Sequence, residues 1–389
     1  MNILLVSEVS LPFIGGVSTS TDSIARFMVG QGHTVTQIVP KPVIPGAPPP
    51  LKGLTFLYTP SVHDPMYAGR PWTLFPFGLR TIEKTLATNH FDIVHIQEPG
   101  SLGVSTLIAA KKRKLPIVGA LHFTPDQGAR MIPGNPQWFV VPFLKAYIHF
   151  IYNKYDAIMV PTQTFVDFLD SVNVKTPKTV VSNGVDTNKF TPQPLDRSVR
   201  EKYHIPKDAF VFFFLGRLDK DKNVGTLVEA LPFANKHVHL LIAGSGKQET
   251  MLKTRAQELG VTDRITWLGP VGEKEMIDLY HTVNAFSIMS PYEVQSIVTL
   301  QAIASGLPML AARAGALPEL CRDGENGLLA DTYDYKMVAE KMNTLAGDPT
   351  LCEKFGKKSR EISLTHHKPT VLKRLEDLYV KVIAEKRKP

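Results

Sequence analysis

The segment from Ser290 to Gly327, SPYEVQSIVTLQAIASGLPMLAARAGALPELCRDGENG, carries polar groups at a spacing that suits a charged ligand. Glu293 falls in a loop, a helix is predicted to open at about Ser296, and Gln301 lies on that helix eight residues after the glutamate. Two glycine-punctuated turns follow. A helix opening there aims unpaired backbone N–H groups, and the positive end of its dipole, at the preceding loop; this is a seat for a diphosphate. A second cluster, Gly216-Arg217-Leu218 with Lys222-Asn223, follows the apolar run Val211 to Leu215. An arginine fork and a lysine point charge at a strand's carboxyl end are what a leaving diphosphate needs. Taken alone, the two cations equally fit a loop ion pair with Asp219 or Asp221. Glu293 alone equally fits a surface charge complementing a helix dipole.

Short β-rich runs must position these groups. Ile3 to Val6, Thr34 to Val39, Ile93 to Ile96, Ile117 to Leu121, Ala157 to Val160 and Thr179 to Val181 each precede a turn or a helical pattern. That alternation predicts an α/β chain with a parallel sheet covered on both faces. The pattern breaks at Thr191-Pro192-Gln193-Pro194 and restarts with Val211 to Leu215, Val238 to Ala243, Ile265 to Leu268, Ala285 to Met289 and Met309 to Ala312. A final segment from about Thr370 to Lys388 has Val371, Leu375, Leu378, Val382 and Ile383 at helical spacing. The expected division is 1–190, 191–365 and a terminal helix 366–389. Strand-end turns at Gly15-Gly16-Val17, Gly244-Ser245-Gly246 and Gly269-Pro270-Val271 fall at the carboxyl edges of the sheets, where α/β ligands bind. A purely structural turn reads the same way. His122 and His95 end strands among apolar neighbours, a setting in which most histidines are structural.

Jointly these motifs resemble the family 4 retaining glycosyltransferases. In that family a glutamate, seven residues and a second glutamate precede an Ala-rich, Ser-Gly-Pro ending like Ala302 to Pro308; here Gln301 stands for the second glutamate. The resemblance runs from Gly15-Gly16 through Asn183-Gly184-Val185-Asp186 and Arg217 with Lys222 to Gly324-Glu325-Asn326-Gly327. It implies a GT-B fold of two Rossmann-like domains facing across a cleft, acceptor on the first and donor on the second, with the last helix returning to the first. Arg217 and Lys222 are then expected to stabilise the leaving diphosphate, Glu293 to bond donor-sugar hydroxyls, and the backbone N–H groups of Gln295, Ser296 and Ile297 to meet sugar and phosphate. Gln301 takes the ribose position, keeping an acceptor oxygen and losing charge. His122 is placed near the donor sugar, Gly16 at the phosphates and acceptor, Gly244 at the crevice and Val271 against the base. His95 with Gln97 resembles a His-x-His-x-Pro pattern in which Gln97 replaces the second histidine, and its expected role is to shape the acceptor cleft. Asn223 stands where the family often has glycine.

The resemblance further implies retention of anomeric configuration by front-face attack, without a metal or other cofactor. The Glu293-x-Gln295-Ser296 form looks like the branch containing diacylglycerol glucosyltransferases. It tilts the acceptor toward a lipid hydroxyl, with UDP-glucose the first donor to try. Trp72, Phe75, Phe77, Trp138, Phe139, Phe143, Tyr147, Phe150 and Tyr152 crowd Pro65 to Arg80 and Met131 to Tyr155, interleaved with Arg70, Arg80, Arg130, Lys145 and Lys154. Such a mixture suits a membrane interface, and it suits an ordinary core.

The net charge of +8 is uneven, because Leu351 to Pro389 holds eleven Lys or Arg against five Asp or Glu. A tail of that kind binds anionic partners or forms the solvated face of a helix. With no recognisable nucleic-acid module, nucleic acid is not an expected partner. Cys321 and Cys352 have no metal or redox spacing, and Met1-Asn2 runs straight into an apolar strand, so the expectation is a cytoplasmic protein, working at the inner face of the cell membrane if the acceptor is a lipid. Competing functions are a non-catalytic sugar-nucleotide binder, a sugar-nucleotide epimerase and, least compatible because no Gly-x-Gly-x-x-Gly is present, a nicotinamide dehydrogenase.

Overall fold

The computed structural model describes residues 1–13, 15–46, 50–64, 69–130 and 137–388, without the side chains of Arg130 and Arg197. Parts of the two aromatic segments, those beginning at Pro65 and at Met131, lie outside the described residues. The chain forms two compact units, Met1–Asn183 with Pro369–Pro389, and Gly184–Lys368.

Among the described residues, the first unit holds a parallel sheet in the order Leu54–Thr59, Thr34–Pro40, Asn2–Val6, Ile93–Ile96, Ile117–Ala120, Ala157–Val160, Lys178–Val180. The central strands are buried along their length, as strands covered by helices on both faces must be. The order reverses between Asn2–Val6 and Ile93–Ile96, which pair with Val6 opposite Ile96. Helix Lys368–Lys386 belongs to this unit's core: Val371, Leu375, Leu378, Tyr379 and Val382 pack with Ile3, Leu5, Ile24 and Ile93. Part of the tail's charge is paired at and beside this helix. Lys373 pairs with Glu376 at 2.7 Å, Lys386 with Asp156 at 2.7 Å and Arg387 with Asp92 at 3.1 Å. These three cations of the basic tail are matched by carboxylates of the first unit.

The second unit repeats the scheme with the order Ile265–Gly269, Val238–Ala243, Phe210–Leu215, Ala285–Ile288, Met309–Ala312, Gly327–Ala330, all parallel. Its strand order reverses between Phe210–Leu215 and Ala285–Ile288. At its margin, the Val185 N–H donates to the His366 carbonyl and the Lys368 N–H to the Val185 carbonyl, both at 2.9 Å, so the two chain crossings are tied to each other. Arg360 holds the same margin by donating to the carbonyls of Phe190, Ala304 and Thr187 at 2.8 to 2.9 Å.

Candidate functional site

In the second unit the candidate residues gather at the reversal of strand order, where the two flanking connections leave on opposite sides and open a crevice at the carboxyl edge. The loop after Phe210–Leu215 carries Arg217 and Lys222; the loop after Ala285–Ile288 carries Glu293 and ends at Ser296. The two loops meet: Lys222 Nζ lies 2.6 Å from Glu293 Oε1 and 3.9 Å from Asp221. Burial alone would depress the Lys222 ammonium, but the carboxylates of Glu293 and Asp221 outweigh it and hold its pKa above the ordinary value. Arg217 makes the ion pairs its loop offers, to Asp219 at 2.6 Å and Asp221 at 3.5 Å, with its side chain still 42% exposed. The loop ion-pair reading of the arginine is thus met, with part of its side chain still reaching solvent.

Backbone ties fix the two loops. Asn223 adopts φ 50°, a left-handed conformation that glycine and asparagine tolerate best, which accounts for asparagine where the family often has glycine. Its amide donates to the carbonyls of Met289 at 3.1 Å and Thr332 at 2.7 Å, a clamp glycine cannot supply. Ser290 Oγ donates to the Asp221 carbonyl at 2.9 Å. The helix Ile297–Ala304 is capped by Ser296, whose Oγ accepts the Thr299 N–H at 3.2 Å. Gln295 and Ser296 are buried, and Ile297 is partly so. Gln301 Oε1 accepts from the Tyr280 hydroxyl at 3.1 Å, and Tyr280 packs edge-on against Phe213 and Phe190. A neutral amide suits that aromatic wall better than a second carboxylate would.

Gly244 and Val271 follow the next two strands outward. The Gly244 N–H donates to the Gly269 carbonyl at 2.7 Å and the Gly216 N–H to the Ala243 carbonyl at 3.1 Å, so three strand-end turns form one ladder along the edge. Val271 sits two residues beyond that ladder, partly packed on the core. Gly315, which sequence reasoning passed over, has φ +54°, and a Cβ there would lie 2.7 Å from the Glu293 carbonyl oxygen. The close approach lets the Ala316 N–H donate to that carbonyl at 2.9 Å and fixes the Glu293 loop from behind.

The first unit places Gly16 at the start of helix Gly16–Gly30, where a Cβ would meet nothing within 4 Å. His122 follows strand Ile117–Ala120, with Nε2 2.9 Å from Gln97 Oε1. Burial pushes its pKa down to about 4, so the ring is neutral at physiological pH. Sequence reasoning missed Glu8 and Glu98, although each stands two residues past one of the strands at the order reversal. Glu8 Oε1 accepts the Leu102 and Gly103 N–H groups at 2.7 and 3.2 Å at the start of helix Ser101–Lys112. Glu98 Oε2 accepts from Ser7 Oγ at 3.0 Å and the Glu8 N–H at 3.1 Å. Burial and then the Glu98 charge raise Glu8 to about 8; burial raises Glu98 to about 7.

These shifts have a defined sign. The folded unit retains protons that the unfolded chain releases near 4.5, so the pair's contribution to stability is full below that pH and is lost as pH rises through 7 to 8. The unfolding free energy from urea titration is therefore expected to fall between about pH 5 and about pH 8.5, by on the order of a few kcal/mol, with the midpoint falling in step. Glu8→Gln should remove much of that slope. A wild-type profile as flat as the variant's would contradict the assignment.

The aromatic segments divide. Tyr152 is core, its hydroxyl donating to the Ala120 carbonyl at 2.7 Å, and Tyr147 is half-buried with its hydroxyl on the Pro99 carbonyl. Trp138, Phe139, Phe143 and Phe150 on helix Gln137–Tyr152 are exposed, Trp138 by 80%, and so are Phe75 and Phe77. Phe139 and Phe143 stack with centroids 6.5 Å apart, and Lys154 Nζ lies 4.0 Å above the Phe150 ring. An ordinary-core reading therefore fails for these aromatics. Among the described residues, no helix is long and apolar enough to cross a membrane, and no group of three or more His, Cys, Asp or Glu is arranged to hold a metal ion.

Comparison with known proteins matches residues 196–362 to the model for glycosyl transferases group 1 and residues 14–189 to that for glycosyltransferase family 4. The chain is 24% identical, over 100% of its length and 99% of the relative's, to an alpha-monoglucosyldiacylglycerol synthase of Acholeplasma laidlawii. Among solved structures, sucrose-phosphate synthase from Thermosynechococcus elongatus superposes with a TM-score of 0.83 at 18% identity, covering 99% of each chain. HepE of Anabaena, in complex with UDP and glucose, superposes with a TM-score of 0.78 at 19% identity, covering 98% of this chain and 100% of HepE.

Proposed function

We propose, from the premise that the chain belongs to the family 4 glycosyltransferases of GT-B fold, that it moves a hexose from a nucleotide diphosphate sugar to a lipid hydroxyl with retention of configuration. The observation that carries the reading is the meeting of Lys222 and Glu293 at 2.6 Å at the order reversal of the second unit, with Arg217 and the capped helix start beside them. A carboxylate suits sugar hydroxyls and the cations suit phosphate, so the two halves of a sugar diphosphate have adjacent partners.

In the proposed reaction the bond from anomeric carbon to diphosphate oxygen breaks while the acceptor oxygen bonds the same carbon from the same face. The acceptor's proton passes to the departing phosphate. Arg217, Lys222 and the N–H groups around Ser296 stabilise the charge growing on that leaving group. No protein carboxylate is assigned as nucleophile, and no metal is assigned a role. Gly16, Gly244, Gln295, Ile297 and Gln301 line the donor's phosphates and ribose, Val271 its base, and His122 its sugar. The first unit takes the acceptor.

A lipid acceptor is supported by the exposed aromatics of helix Gln137–Tyr152 with Lys145 and Lys154 beside them, and by the full-length match to a synthase of monoglucosyldiacylglycerol. Amphipathic surfaces of this composition enter the headgroup region of anionic bilayers. The protein would then work at the inner face of the cell membrane. The deciding experiment incubates the chain with UDP-glucose and vesicles containing diacylglycerol and anionic lipid, then determines the anomer of the extracted product. An α-glucolipid is expected. The Trp138→Ala/Phe143→Ala variant should bind such vesicles about tenfold or more weakly, the scale of two lost interfacial side chains. Donor consumed at the same rate with and without any hydroxyl acceptor would sink the transferase reading; equal vesicle binding by the variant would sink the membrane one.

A further inference from the structure

Gln97 departs from the histidine expected at its position, and the structure gives that departure a use. Four side chains of the first unit, three of them buried and His122 partly so, are joined in series. His122 Nε2 lies 2.9 Å from Gln97 Oε1, Gln97 Nε2 lies 3.1 Å from His95 Nε2 and 3.3 Å from His95 Nδ1, and His95 Nδ1 lies 2.5 Å from the Tyr379 hydroxyl. His95, Gln97 and Tyr379 are fully buried, and the His95 and Tyr379 rings meet edge to face. Tyr379 comes from helix Lys368–Lys386, so that helix is wired to His95 on a strand 284 residues earlier.

We propose that His95, Gln97 and Tyr379 act as a positioning relay that holds His122 as its Nε2–H tautomer and leaves Nδ1 free to accept a hydrogen bond from a donor-sugar hydroxyl. The polarity follows from the carboxamide. Its carbonyl oxygen can only accept, so with that oxygen toward His122 the Nε2 there carries the proton; its N–H can only donate, and of the two His95 nitrogens in reach we assign the nearer, Nε2, as the bare acceptor because Nδ1 is engaged by the Tyr379 hydroxyl. His95 then bears its proton on Nδ1 and donates it to Tyr379. Burial keeps both rings neutral, with His95 pushed down to about 3 and His122 to about 4, so each has one N–H and one lone pair to assign. A carboxamide, with donor and acceptor on one planar group, can bridge two imidazoles with a fixed sense.

The role of His122 toward a sugar rests on the glycosyltransferase reading; the tautomer does not, and the test separates them. Nitrogen-15 spectra of histidine-labelled full-length protein, with no substrate present, should show His122 protonated on Nε2 and bare on Nδ1, and His95 the reverse. Gln97→Leu should replace the single His122 form by a mixture. Gln97→Glu, which accepts from both rings, should keep the His122 form and move the His95 proton to Nε2. His122 found as the Nδ1–H form, or unchanged by Gln97→Leu, overturns the proposal whatever the protein catalyses. With UDP-glucose and acceptor, Gln97→Leu should lower kcat/KM by about tenfold, the scale of one polar hydrogen bond. In a His122→Ala background the same change should cost less than about twofold. An equal loss in both backgrounds would assign Gln97 a structural role only. Tyr379→Phe, the mildest change, keeps the core filled and should shift the His95 signals while leaving the fold's melting profile close to wild type.

Discussion

Replacing Lys222 with alanine is expected to cut turnover of the nucleotide sugar by roughly 10²- to 10³-fold, the scale of losing one preorganised partner for a growing oxyanion. The loss should appear in kcat and kcat/KM alike, because the ammonium is worth most when the leaving diphosphate carries its full charge. Lys222 is the stronger choice over Arg217 on geometry. Its side chain is 21% exposed against 42%, and a buried charge acts through less solvent. Arg217→Ala should follow with a smaller loss, since Asp219 and Asp221 already occupy part of its fork. Removing Lys222 also strands the Glu293 carboxylate, whose side chain is only 11% exposed, and a melting shift is expected alongside. The Lys222→Met/Glu293→Gln double variant separates the two effects: it removes both charges, so stability should recover while turnover stays low. Turnover of Lys222→Ala within about threefold of wild type would end the leaving-group role, given the scale such partners command.

What the sequence disclosed follows the range of the interactions involved. Strand positions were legible because each run such as Val238–Ala243 is buried on both faces and must be apolar throughout. The terminal helix was legible from the spacing of Val371, Leu375, Leu378 and Val382, though not that its Tyr379 reaches His95, a contact across 284 residues. The cation loop and the glutamate loop were each visible as motifs. Their contact at 2.6 Å depends on strand order, which pairs Phe210–Leu215 with Ala285–Ile288 and which no local pattern specifies. Glu8 and Glu98 escaped for the same reason: each is an isolated acid in sequence, and only the pairing of Asn2–Val6 with Ile93–Ile96 makes them neighbours. The aromatics were named with two readings, interface and core, and the choice between them was open for another reason. Helical spacing in Gln137–Tyr152 shows where side chains point relative to each other, not whether anything covers them.

Gly244→Ala is the second large effect expected, and it reaches the site through the backbone. At φ +121° an L-residue is strained, and the added Cβ would stand 1.9 Å from the Gly216 carbonyl oxygen, far inside contact distance. That oxygen belongs to main chain at the end of Phe210–Leu215 and cannot rotate away as a side chain would. Either the Gly216 peptide moves, carrying Arg217 with it, or the Gly244 turn leaves the ladder and its 2.7 Å bond to the Gly269 carbonyl breaks. Strain and overpacking together should cost on the order of 3–5 kcal/mol. For a unit of this size that lowers the melting temperature by roughly 10 °C. Gly315→Ala provides the matched comparison, since its Cβ would press at 2.7 Å on the Glu293 carbonyl and move the other loop instead. The two variants should therefore fail differently. On the proposed donor site, Gly244→Ala should weaken UDP binding by displacing the Gly216–Arg217 backbone, and Gly315→Ala should weaken discrimination among UDP-sugars by moving Glu293. Calorimetric titration with UDP and with UDP-glucose reads both, and Gly244→Ala binding UDP at wild-type affinity with an unshifted melting curve would show that the edge can absorb a methyl group, which the ladder geometry forbids.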